Sequence, residues 1–124
     1  MRLDRKRARL ALGALRLGVA GGFVAPRIAA RAFALEPGPQ SAYLVRLFAA
    51  RNVAMTTGLW ASAPPARRLW WQAGVLCDAL DVGAALLALR EGKPPASAAL
   101  DAGAALTATA LGVAGLLAEG GQAR

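Results

Sequence analysis

Apolar residues run in long stretches along this chain, broken at three places by proline: Glu36-Pro37-Gly38-Pro39, Ala63-Pro64-Pro65 and Lys93-Pro94-Pro95. Proline has no backbone N–H and disfavours helix at the residue before it, so these pairs punctuate helices. They divide the chain into four segments of helical length, about 10–33, 41–61, 69–89 and 96–118. No stretch alternates with period two, so strands are not expected. About 20 residues rising 1.5 Å each cross a hydrocarbon layer of roughly 30 Å. Segments two to four have that length. Segment one reaches it only if its helix continues past Pro26 towards Leu35. The expected fold is all-α, a single domain over residues 1–124 forming an antiparallel bundle of four transmembrane helices.

Composition supports lipid as part of the solvent. Hydrophobic residues make up 56% of the 124 positions and charged ones 18%, whereas a water-soluble body this small is mostly surface and needs a larger polar shell. A soluble helical bundle is the rival reading, because charges interrupt weakly apolar segments. The aromatics favour the membrane. Trp60 closes segment two, Trp70 and Trp71 open segment three, and Tyr43 stands at the far end of segment two. Such rings anchor at the membrane–water interface.

The net charge of +8 brings nucleic acid into consideration. The basic residues, however, gather at the N-terminus and in short loops rather than on one face with aromatics, which suits an anionic lipid surface instead. The lipid bilayer is the expected partner and nucleic acid is not. Arg2, Arg5, Lys6, Arg7, Arg9, Arg67, Arg68 and Arg124 fall on one side, eight in all, against four (Arg27, Arg31, Arg90 and Lys93) on the other. The positive-inside rule then places both termini in the cytoplasm and the protein in the inner (plasma) membrane as a multi-pass chain. A cleaved signal peptide ending near Ala32-Phe33-Ala34 is disfavoured by Arg16 in the middle of its apolar stretch and by the distance from Ala25 to Ala34.

One cysteine and no histidine remove an intrachain disulfide, a Cys/His metal cluster and Ser-His-Asp chemistry. No catalytic motif is visible, and no cofactor or metal is expected. Cys77 reads as an inert small residue. Gly18-x-x-x-Gly22 and the ladder Ala104, Ala108, Gly112 allow close helix approach and are compatible with a homo-oligomer or another membrane protein as partner. Thr107 and Thr109 are expected to bond to their own helix backbone.

The candidate site is the set of polar residues within the spans: Arg16, Arg46, Arg51, Asn52, Asp78, Asp81 and Asp101. A charge at the bilayer centre costs roughly 2.5–3.5 kcal/mol even on insertion scales, so each must face protein or water. Segments two and three are joined by a short loop and should lie antiparallel. Arg51 then falls level with Asp78, and Arg46 within about 4.5 Å of the level of Asp81. Arg46 has Asp101 as an alternative partner. Asp78 and Asp81 share a helix face, whereas Arg46 and Arg51 stand about 140° apart and cannot both point at one neighbour. Structurally, such charges fix which helix sits beside which. Functionally, they form a polar pathway for protons or a small solute, or hold a polar head group. Three arginines against three aspartates favour the structural reading, and water access to Asp81 separates the two.

The strings Arg46-Leu47-Phe48-Ala49-Ala50-Arg51-Asn52, Gly58-Leu59-Trp60 and Asp78-Ala79-Leu80-Asp81 resemble a pattern of small four-helix bacterial membrane proteins of unknown function, loosely similar to DoxX-like proteins. In that group the second helix carries R-x-x-x-x-R-[DN] and the third D-x-x-D. The resemblance covers residues 41–118, and Asn52 stands where the group more often has Asp. It implies a four-helix membrane fold and no specific activity. A membrane redox accessory role follows from the DoxX likeness alone, since the chain carries no redox motif of its own.

Overall fold

The computed structural model describes residues 4–121, so Arg2 and Arg124 of the charge count lie outside the described residues. All regular structure within it is helical: α1 (Arg5–Ala20), a 3-10 turn (Gly21–Phe23), α2 (Pro26–Ala32), α3 (Pro39–Ala61), α4 (Pro64–Arg90) and α5 (Pro95–Gly120). Four of the five helices open with proline in their first turn, where its missing N–H has no helical partner to lose. Asp4 caps α1 by accepting from the Arg7 N–H at 2.8 Å.

Segment one does not run on as one helix. It breaks at Gly21–Ala25, and α2 turns away from α1 by 116°. Two glycines loosen the backbone there, and Ala25 is pushed out of helical geometry (φ −124°, ψ 59°) by the proline that follows it. α2 ends in a Schellman turn, with Leu35 N–H on the Ala30 carbonyl at 2.8 Å and Ala34 at φ 55°. An equivalent turn after α4 uses Gly92 at φ 98° and the Lys93 N–H on the Ala88 carbonyl. It delivers Lys93 to the start of α5.

The long helices form an up-down-up-down bundle in which α1 packs on α3 and α5, and α4 on α5 and more sparsely on α3. α1 therefore faces α4 across the diagonal. One half of the bundle, made by the start of α1, the end of α3, the start of α4 and the end of α5, is tightly filled by Ala8, Leu12, Leu59, Trp71 and Ala108. Rings seat against glycines there, Trp60 on Gly13, Trp70 on Gly58 and Trp71 on Gly115, so closely that a Cβ at any of the three would overlap the ring.

Among the described residues two helices, α4 and α5, are long and apolar enough to cross a membrane, or three if α1 and α2 are the two arms of one broken span. α3, with Arg46 and Arg51 in its first half, is not among them.

Candidate functional site

The charges expected within the spans find other partners than the sequence suggested, and Arg46 makes no ion pair among the described residues. Arg16 Nη2 donates to Asp78 Oδ2 at 2.7 Å, across the bundle diagonal, and both side chains are almost wholly buried (2% and 6% exposed). The expected Arg51–Asp78 pair does not form. Level along the bundle did not separate the candidates, because Asp78 and Asp81 are only three residues apart. Rotation does: three residues turn about 60° net around a helix, so Asp78 points inward to α1 while Asp81 points to α3. Gly74, one turn before Asp78, provides the room, since a Cβ there would lie 2.5 Å from Arg16 Nη2.

Arg51 takes Asp81 instead, through Nη2–Oδ2 at 2.5 Å and Nη1–Oδ1 at 3.3 Å, a two-pronged pair. Its guanidinium also lies 4.6 Å from the Phe48 ring centre, and Phe48 in turn meets Phe33 edge-on at 5.7 Å. Arg51 is thereby held by α4 and by the segment after α2 together. Arg46 pairs with neither Asp81 nor Asp101. Its Nε donates to the Phe23 carbonyl at 3.3 Å, an acceptor freed by the break between α1 and α2. Asp101 is held by Lys93, a residue the sequence placed in a loop. Proline starts α5 immediately after Lys93, putting it two turns ahead of Asp101, and that spacing was the available signal. Asn52 is buried and spends its amide N–H on its own helix, at the Phe48 carbonyl (2.9 Å). Arg67 and Glu119, 3.7 Å apart, close the opposite end.

The expected anchors divide. Tyr43 is outward-facing, and Trp60 is half exposed with its Nε1 on the Arg9 carbonyl at 3.2 Å. Trp70 is half-buried. Trp71 is not an anchor: it is 1% exposed and fills the core, because Gly115 of α5 leaves a slot for its ring. Of the small-residue faces, Gly22, Ala108 and Gly112 are packed, whereas Gly18 and Ala104 face open space. Thr107 and Thr109 do bond to their own backbone, both at 2.8 Å.

Beyond the Arg16–Asp78 pair the bundle is hollow. A cavity of about 1040 Å³ occupies the half bounded by the end of α1, α2, the start of α3, the end of α4 and the start of α5. Its walls are largely alanine, glycine and a few large apolar residues, among them Phe33, Leu44 and Phe48. Its polar lining comes from Arg16, Asn52, Asp78, Asp81, Lys93 and Asp101. Arg16 Nε and Nη1 are buried without an acceptor, and Asp101 Oδ1 without a donor, among the described residues. Both aspartates border the cavity, but Asp81 is 28% exposed and Asp78 only 6%. Among the described residues no group of His, Cys, Asp or Glu could hold a metal ion. Chemically the site offers an apolar chamber with hydrogen-bonding groups on its wall and floor, not a nucleophile poised beside a base.

Comparison with protein-family models, with curated proteins and with solved structures finds no match for this chain.

Proposed function

We propose that the chain is a four-span integral membrane protein whose bundle binds an apolar or amphiphilic small molecule in the cavity between its helices. The observation that carries the membrane part is an inverted distribution of residues. The interior is rich in Ala and Gly and holds Arg16 and Asp78 beside a few large residues such as Leu12, Leu59 and Trp71, while many more leucines face outward, among them Leu69, Leu80 and Leu117 at 66%, 64% and 73% exposed. Only 17% and 22% of the apolar stretches of α4 and α5 are buried within the protein. Water would penalise such a surface at about 25 cal/mol per Å², and lipid would not. Small residues inside and leucine outside is the packing expected where lipid solvates the outer face. This favours a membrane bundle over the soluble one. α3 serves as a span because its charges turn to Asp81 and to the Phe23 carbonyl, and α1 with α2 makes a broken span.

The cavity carries the binding part. The Arg16–Asp78 pair lies on its wall with the packed half beyond, an arrangement suited to holding a ligand rather than passing one. An apolar chain would lie against the alanine walls, and an oxygen-bearing head would accept from the free N–H groups of Arg16. A small-solute or proton pathway is the second reading, favoured by the exposure of Asp81 to the cavity, but it requires the packed half to open. The redox accessory role rests only on the DoxX resemblance. On this reading the protein is a binding module, not an enzyme. Orientation follows the basic residues, with the packed half and both termini at the cytoplasmic face of the plasma membrane. Arg46 joins the opposite side and narrows the margin to eight against five.

Two measurements test this reading. The protein should stay in the membrane fraction after an alkaline carbonate wash, and release by the wash would defeat the membrane reading. Native mass spectrometry of detergent-purified protein should find one retained adduct of acyl-chain mass that is absent from Ala105→Leu, which narrows the chamber. A bare wild type, or an adduct kept by the variant, would defeat the binding reading.

A further inference from the structure

A second concavity lies at the open end of the bundle, formed by Pro26, Arg27, Arg31, Pro37, Gly38, Pro39, Ala42 and Arg46. Its three charged residues are all arginines. None makes an ion pair among the described residues, and Glu36, the nearest acid in sequence, does not line it. Arg27 and Arg31 are four apart on α2 and share one face, where like charges repel. Arg46 is fixed against them by its Nε bond to the Phe23 carbonyl, which leaves its two Nη groups free. The prolines and the turn after α2 hold the opposing wall. The three arginines are exposed, so their mutual repulsion is modest, but an anion in the concavity would meet three guanidiniums and no acid.

The surroundings say where that anion would be. Phe23 and Val24, just ahead of α2, expose 51% and 85% of their surface, and Ile28 on α2 exposes 73%. The opposite face of α2, at Ile28, Ala29 and Ala32, lines the main cavity. α2 is thus apolar on one side and basic on the other, as a helix lying in the membrane interface is.

We propose that Arg27, Arg31 and Arg46 form a phosphate-binding site whose occupant is the head group of an anionic phospholipid. A phosphate oxygen takes paired N–H donors from guanidinium, a planar fork that lysine lacks. The site is distinct from the main cavity and does not depend on what that cavity holds.

The test is thermal unfolding in neutral detergent during separate titrations with dioleoylphosphatidylglycerol, dioleoylphosphatidylcholine and inorganic phosphate. Phosphatidylglycerol should stabilise the wild type and phosphatidylcholine should not. In Arg27→Gln/Arg31→Gln, which keeps the Arg46 bond to Phe23, half-maximal stabilisation should need on the order of tenfold more phosphatidylglycerol or above. Lys6→Gln/Arg68→Gln, with the same loss of charge at the other end, should titrate as the wild type does. Stabilisation by inorganic phosphate alone, lost in the same α2 variant, would keep the anion site but assign it to a soluble phosphate. Equal weakening in both double variants would overturn the proposal, since it would show only bulk attraction. So would absence of stabilisation by either anion.

Discussion

The two halves of this bundle are made from the same few residue types and solve opposite problems. In the packed half, every large ring has a glycine facing it: Trp60 on Gly13, Trp70 on Gly58, Trp71 on Gly115. In the open half, alanine faces alanine, and the small side chains leave about 1040 Å³ between the helices. Small residues bring helices together only where something large on the neighbour fills the space they vacate. Their presence alone predicts neither close packing nor a cavity. The charges divide in the same way. Arg16–Asp78 lies on the diagonal between the halves, almost wholly buried where the chamber meets the packed half, while Arg51–Asp81 leaves about a third of its surface open and sets Asp81 on the chamber wall. One pair ties the diagonal together, and the other stands nearer the surface.

The largest effect expected is at the diagonal pair. Asp78→Ala leaves Arg16 buried without a counter-charge and should cost about 3–5 kcal/mol in detergent unfolding. Adding Arg16→Ala should recover part of that loss, and strictly additive losses would show that the two residues do not interact. Next come overpacking substitutions that set one half against the other. Gly115→Ala, which drives a methyl into Trp71, and Ala8→Leu in the filled core should each cost about 1–3 kcal/mol. Ala105→Leu, into the chamber, should change stability by no more than about 1 kcal/mol. Equal losses at Ala8 and Ala105 would erase the distinction between the halves. Asp81→Asn should cost less than about 1 kcal/mol, as partly exposed pairs do, and should act on the retained adduct instead. The smallest change is Ala34→Gly at the end of α2. Glycine relieves the left-handed backbone but adds freedom to the unfolded chain, for a net gain of about 0.5 kcal/mol.

Helix positions were legible because proline writes them directly. The helix starts at Pro39, Pro64 and Pro95 stand within about five residues of the starts read from hydropathy. The break in segment one was half legible: Pro26 marked it, but nothing local specifies a turn of 116°. Which residues form the site was also readable, since a charge in an apolar run must find a partner. Who pairs with whom was not. Level along the bundle is nearly blind to a shift of three residues. No partner was assigned to Arg16 from the sequence, whereas it reaches Asp78 across the diagonal over Gly74. Trp71 misled for a related reason. A tryptophan near a span end reads as an anchor, and only the glycine facing it from α5 reveals a core residue. The chamber left no sequence signal, because an alanine-rich run reads the same whether its partner fills the gap or not.

The division of labour between the two aspartates is the claim most open to direct test. Asp78→Asn and Asp81→Asn each remove one negative charge from α4, three residues apart, with little change in side-chain size. Their thermal unfolding should be measured side by side in the same detergent. Loss of stability several-fold larger for Asp78→Asn is the predicted result. Equal losses, or the larger loss at Asp81, would contradict it.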